Sequence, residues 1–198
     1  IHSKESSGGA DTSHVSRAFA EGAMRSLDKM LDVAEKLDGT ARGEALSGIA
    51  AVWVQKDIDA SLQWAKSIQP IEDRRTVLLE LYRNLVTIDP SLGLQNLAEM
   101  PEASERSFYS LPAVRSIIRA AAYSNFDSML DWLAKRPLVL KSNEDGLVEP
   151  LKKHFEHDAI GTLITIQGHP AQEVLTDALE FVIRDDSVDL GNWHKLER

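Results

Sequence analysis

The chain has 198 residues, 43% of them hydrophobic, which is enough for one large domain or two small ones with a buried core. It contains no Cys, which excludes a disulfide framework and a thiolate zinc site. The formal net charge of −9 argues against nucleic acid or an anionic membrane surface as the main partner, and no apolar run approaches the ~18 residues of a membrane span.

The first twelve residues, IHSKESSGGADT, are polar and Gly/Ser-rich and read as a flexible linker or tail, with residues 13–198 left for the folded domain. The chain opens on Ile1, which suggests a processed or excised chain, and no signal peptide is visible in it. Zero Cys fits an oxidising compartment and the cytoplasm equally.

Predicted elements then follow in pairs. Ser26 opens SLDKMLDVAEKL (26–37), which Gly39 is expected to stop. Leu46, Ile49, Ala50 and Trp53 draw an apolar stripe at 3-4 spacing, the mark of an amphipathic helix. Asp57 caps DIDASLQWAKSI (57–68), which stops at Pro70. The same sequence of events recurs. Leu78, Leu81, Tyr82 and Leu85 form a stripe, Asp89 with Pro90 behind it caps DPSLGLQNLAEM (89–100), and Pro101 stops it. The segment EASERSFYSLP (102–112) predicts an inserted turn. Val114, Ile117, Ile118 and Ala121 make the next stripe, Asn125 caps NFDSMLDWLAKR (125–136), and Pro137 follows. The stretch LVLKSNEDGLVEP (138–150) reads as the longest irregular loop, with Asn143–Gly146 a turn inside it. Asp158 caps DAIGTLITIQGH (158–169) before Pro170, and Asp186 opens a looser sixth copy, DSVDLGNWHKLE (186–197).

The capped segments start 31, 32, 36, 33 and 28 residues apart. A period in this range signals an array of helical repeats, and there is no sustained two-residue alternation that would predict a sheet. Each repeat is a helix A, a short turn, a capped helix B and a Pro- or Gly-marked loop. Leu31, Leu62, Leu94, Leu130 and Leu163 recur five residues after the cap, and Trp64, Trp132 and Trp193 seven after it. Helices of about 9–15 residues are marginal alone in water. The expected fold is therefore all-α, an α-α superhelix (solenoid) of about six two-helix repeats, in which each hairpin buries its stripe against its neighbours.

These residues resemble the tetratricopeptide-like superfamily of α-α superhelical proteins. The A-helix stripe, the turn into helix B and the Pro that ends it carry the likeness over roughly 13–198, although the W-x2-L-G-x2-Y pattern has no counterpart in helix A. WVQKDIDASLQWA (53–65) is also similar to bacterial helical repeats of the pattern WA-x-x-DP-x-x-A-x-x-WA. The resemblance implies protein or peptide binding and carries over no catalytic residue and no cofactor.

Motifs that carry chemistry are sparse. His154 and His157 of HFEH stand three apart, whereas H-E-x-x-H requires four with Glu beside the first His. His154 also occupies the register of Trp53 and Leu85, a packing position, so no metal site is expected. Ser26-Leu-Asp-Lys29 matches S-x-x-K, but its partner motifs S-D-N and K-T-G are absent. No G-x-G-x-x-G, G-x-x-x-x-G-K-S/T or G-x-S-x-G occurs. The recurring Trp residues fit helix packing better than an aromatic ligand platform.

Six residues before the cap, three consecutive A helices carry Arg83, Arg119 and Lys152, where earlier ones carry Ala20 and Ala51. That position lies well away from the apolar stripe, so these cations are expected on an exposed face. They are the candidate peptide-binding residues, suited to an acidic segment. The expected function is a non-enzymatic interaction scaffold. The alternatives are a spacer domain of a larger envelope protein and, less favoured, a hydrolase on an α-α scaffold, which would need two positioned carboxylates in a cleft. Both the bacterial envelope or periplasm and the cytoplasm remain open as compartments.

Overall fold

A helix can follow another with a single residue between them when that residue closes one and caps the next. In the computed structural model, which describes residues 12–136, 139, 144–169 and 172–184, this device organises the chain. Helix α3 (Gly39–Lys56) ends at Asp57 and α4 (Ile58–Ser67) begins after it. The Asp57 backbone N–H donates to Trp53 O at 2.9 Å, completing α3, while its carboxylate accepts from Ala60 N–H at 2.9 Å, satisfying an orphan donor of α4. The turn recurs with the same chemistry. Asp89 accepts from Leu92 N–H at the start of α6 (Pro90–Ala98). Asn125 stands between α8 (Pro112–Ser124) and α9 (Phe126–Ala134) and accepts from Ser128 N–H. Asp158 links α10 (Glu144–His157) to α11 (Ala159–Ile166) and accepts from Gly161 N–H. Ser26 holds the same extended backbone between α1 (Thr12–Arg25) and α2 (Leu27–Ala34), but its hydroxyl makes no capping bond. The remaining helices are α5 (Ile71–Ile88), the short α7 (Arg106–Tyr109) and α12 (Gln172–Arg184). Among the described residues there is no strand, so the class is all-α.

The chain divides into two compact units, residues 1–88 and 89–198. In the first, α1, α3 and α5 pack side by side in sequence, with α2 against α1 and α3, and α4 against α3 and α5. The predicted stripes are what they bury, except that Trp53 is only half-buried: Leu46, Ile49 and Ala50 of α3, and Leu78, Leu81, Tyr82 and Leu85 of α5, are in the core. Gly48 lets α1 and α3 approach closely, because a Cβ there would lie 2.1 Å from the Ser16 carbonyl oxygen. Lys56 reaches from the end of α3 to the Ala23 and Met24 carbonyls at 3.2 and 3.1 Å, closing the C-terminus of α1. In the second unit α10 packs against both α8 and α12, and α6 against α8 and α9. Val114, Ile117, Ile118 and Ala121 of α8 are buried with Leu94, Leu97, Met129, Leu130 and Leu133.

Several expectations change. Gly39 does not stop a helix; it is the first residue of α3, at φ +52°, a conformation open to Gly without a Cβ penalty. Thr12 opens α1 rather than ending a linker, and residues 1–11 lie outside the described ones. Glu144–Pro150 are helical, not loop, because Leu147, Leu151 and Phe155 of α10 form a buried stripe whose packing offsets the missing Pro150 N–H. Helices α3 and α5 run to 18 residues each, longer than expected. The inserted turn at 102–112 is a 3-10 turn (Pro101–Ser104) and α7, anchored by buried Phe108 and Tyr109 with ring centroids 5.2 Å apart. Leu163 is exposed despite its repeat position. Pro137, Pro170, Asp186 and Trp193 lie outside the described residues.

Candidate functional site

Helix α5 presents Thr76, Glu80 and Arg83 along one strip, since residues three, four and seven apart share a helix face. Arg83 is exposed, as its register predicts. It is not a free cation. Its Nε donates to Glu80 Oε2 at 3.0 Å, and Nη2 donates to Oε1 of the same carboxylate. Asn84 Nδ2 also donates to Glu80 Oε1 at 3.0 Å. The hydrogen bond to Glu80 lifts the guanidinium above its already high ordinary pKa, with burial working against it, so Arg83 stays charged. Glu80 is a residue the repeat comparison passed over; the signal for it is the i, i+3 acid–base spacing on one helix face.

Arg119 of α8 is exposed and Lys152 of α10 is half-buried. They hold the same register on two helices that pack against each other. The neighbouring pair Tyr123 and Lys153 joins the same two helices, with Nζ 5.3 Å from the ring centroid.

Two grooves were not anticipated. In the first unit a groove of about 500 Å³ runs across α1, α3 and α5, lined by Ser16, Gly43, Ser47, Asp73 and Thr76 among others. Its walls are small or hydroxyl-bearing apart from the carboxylates of Glu44 and Asp73, and the Arg42 Nη1–Asp73 Oδ2 ion pair ties α3 to α5 beside it. Thr76 lies two helical turns before Arg83 on α5, so the groove and Arg83 share a face of that helix. Ser16 and Ser47 stand four residues before Ala20 and Ala51, the earlier copies of the Arg83 register. The small residues opposite each apolar stripe were the available signal. In the second unit a groove of about 320 Å³ lies between α6 and α9.

The remaining candidates behave as packing groups. His154 stacks on Phe126, ring centroids 4.8 Å apart at 30°. Among the described residues no three His, Asp or Glu side chains gather as a metal set. No helix among them is long and apolar enough to cross a membrane. Trp132 is buried, but Trp64 is half-buried, its ring tilted 35° to that of Trp53 with centroids 5.0 Å apart. Comparison with protein-family models, curated proteins and solved structures finds no match.

Proposed function

We propose that the chain is a non-enzymatic interaction scaffold, a superhelical array of α-α repeats that binds a protein or peptide segment along its A helices. The observation that supports it best is the recurrence of one hairpin turn at Asp57, Asp89, Asn125 and Asp158, each with its side chain capping the next helix. Within each unit, hairpins of one shape whose A helices pack side by side offer an open face rather than a closed cavity. In the first unit Arg83 supplies positive charge on the helix that also lines the hydroxyl-bearing groove, whose side chains are partners for a peptide backbone; in the second, Arg119 and Lys152 supply positive charge. Exposed charge pairs contribute at most about 1 kcal/mol each, so side chains such as half-buried Leu79 have to add apolar contact.

A labelled hexaglutamate peptide, with hexaglutamine as control, tests the reading by fluorescence anisotropy. Only the acidic peptide should bind, more weakly at higher salt, because the overall −9 charge makes the attraction local. Arg83→Glu/Arg119→Glu should abolish binding, and Glu80→Gln should strengthen it by releasing Arg83. Equal binding by wild type and the double variant would reduce the ladder to a solvated face.

A further inference from the structure

The groove between α6 and α9 lies on B helices, apart from the residues proposed above, and its chemistry differs. Ser91 of α6 and Ser128 of α9 place hydroxyls in its lining. Asp131 and Lys135, one turn apart, are exposed there and belong to no ion pair among the described residues. Arg136 completes the charged lining. Its guanidinium carbon sits 4.5 Å from the centroid of the Trp132 ring, and Nη1 donates to Trp132 O at 3.2 Å. Trp132 is only 8% exposed, so the plate beneath the guanidinium is itself fixed by the core. Its indole Nε1–H has no hydrogen-bond acceptor among the described residues. Arg carries five N–H donors, and the contacts among the described residues use one of them. A stacked, half-buried fork with donors to spare loses little freedom when it takes a planar anion.

We propose that this groove is a binding site for a carboxylate on a peptide, held by Arg136 and Lys135 with the Ser91 and Ser128 hydroxyls beside it. Two cations and one carboxylate leave a local charge of about +1, which a carboxylate neutralises and a phosphate dianion overshoots. Asp131 therefore sets the selectivity by repelling the second charge. The carboxylate comes either from a chain terminus or from an Asp or Glu side chain.

Three small probes separate these sources: N-acetylglutamine, with a terminal carboxylate only; N-acetylglutamate α-amide, with a side-chain carboxylate only; and N-acetylglutamine amide, with neither. The readout is the Trp132 indole N–H signal in 15N-correlated NMR spectra, assigned with Trp132→Phe. One or both acids should shift it saturably with a Kd on the order of millimolar, and the one that binds names the source. The amide should not shift it. Lys135→Gln should weaken binding and Asp131→Asn tighten it, each about two- to fivefold. Both side chains are exposed, so these variants keep the fold if Arg136→Gln does not. Equal shifts from all three probes would overturn the site. So would Lys135→Gln and Asp131→Asn changing affinity in the same direction, or inorganic phosphate binding tenfold tighter than either acid.

Discussion

Asp57, Asp89, Asn125 and Asp158 each serve two helices, the backbone N–H or the one-residue turn finishing the first and the side chain starting the second. Asp89→Ala, Asn125→Ala and Asp158→Ala should each lower stability by about 0.5–2 kcal/mol in chemical denaturation, with Asp89→Ser close to silent. Ser26 supplies the control. Its hydroxyl makes no capping bond, so Ser26→Ala should stay within about 0.5 kcal/mol of wild type. Tyr109 offers a second residue-scale test. Burial pushes its phenol above the ordinary value near 10, with the Arg136 charge opposing. The folded state then holds a proton that the unfolded chain has lost once pH passes about 10, so this contribution is complete below that pH and declines above it. Ultraviolet titration should show late tyrosine ionisation, and Tyr109→Phe should reduce the amplitude of that phase.

Within a unit the elements differ in what they tolerate. Leu94 is fully buried, and Leu94→Ala should cost about 2–5 kcal/mol through lost burial and a residual cavity. Trp64, half-buried against Trp53, has only part of its surface at stake. Gly48 shows the opposite limit. Alanine is the better helix former by about 1 kcal/mol, yet a methyl group there meets the Ser16 carbonyl, which is backbone and cannot rotate aside. Gly48→Ala should therefore lower the melting temperature by driving α1 from α3, at an overpacking cost of about 1–3 kcal/mol. Three buried polar side chains are satisfied locally: Ser61 Oγ donates to Ile58 O at 2.8 Å, Asn96 Nδ2 to Leu92 O at 3.0 Å and Thr162 Oγ1 to Asp158 O at 2.6 Å. Each returns to its own preceding turn, so these helices need no polar partner across an interface.

At the scale of the whole molecule, a repeat array predicts that stability passes between neighbours and fades with distance. Ile49→Ala, in the core of α3, should raise amide exchange in α1 to α5 while α10 to α12 keep their protection. Uniform loss of protection along the chain would mean one cooperative domain instead of an array. The experiment also bears on the division at residue 88, where the two compact units meet in sequence.

Helical class, hairpin starts and the buried stripes were legible in the sequence because they rest on local physics. A 3-4 apolar spacing, an Asp or Asn with an orphan N–H three residues on, and a Pro at the first helical position all act within a turn or two of chain. That is why α4, α6, α9 and α11 begin one residue after their predicted caps. Other features depended on groups far apart in the sequence. Pro150 stays inside α10 because Leu147, Leu151 and Phe155 are buried there, although its local signal is that of a breaker. Gly39 carries the same composition whether it ends one helix or begins the next, and packing of α3 against α1 and α5 selects the second. The hydroxyl-lined groove needs Ser16, Ser47 and Thr76 from three helices, and the carboxylate groove needs Ser91 beside Arg136. Local propensity determines each helix, but a site made of residues some thirty or more positions apart exists only after the helices have packed, because its walls are the faces that packing leaves uncovered.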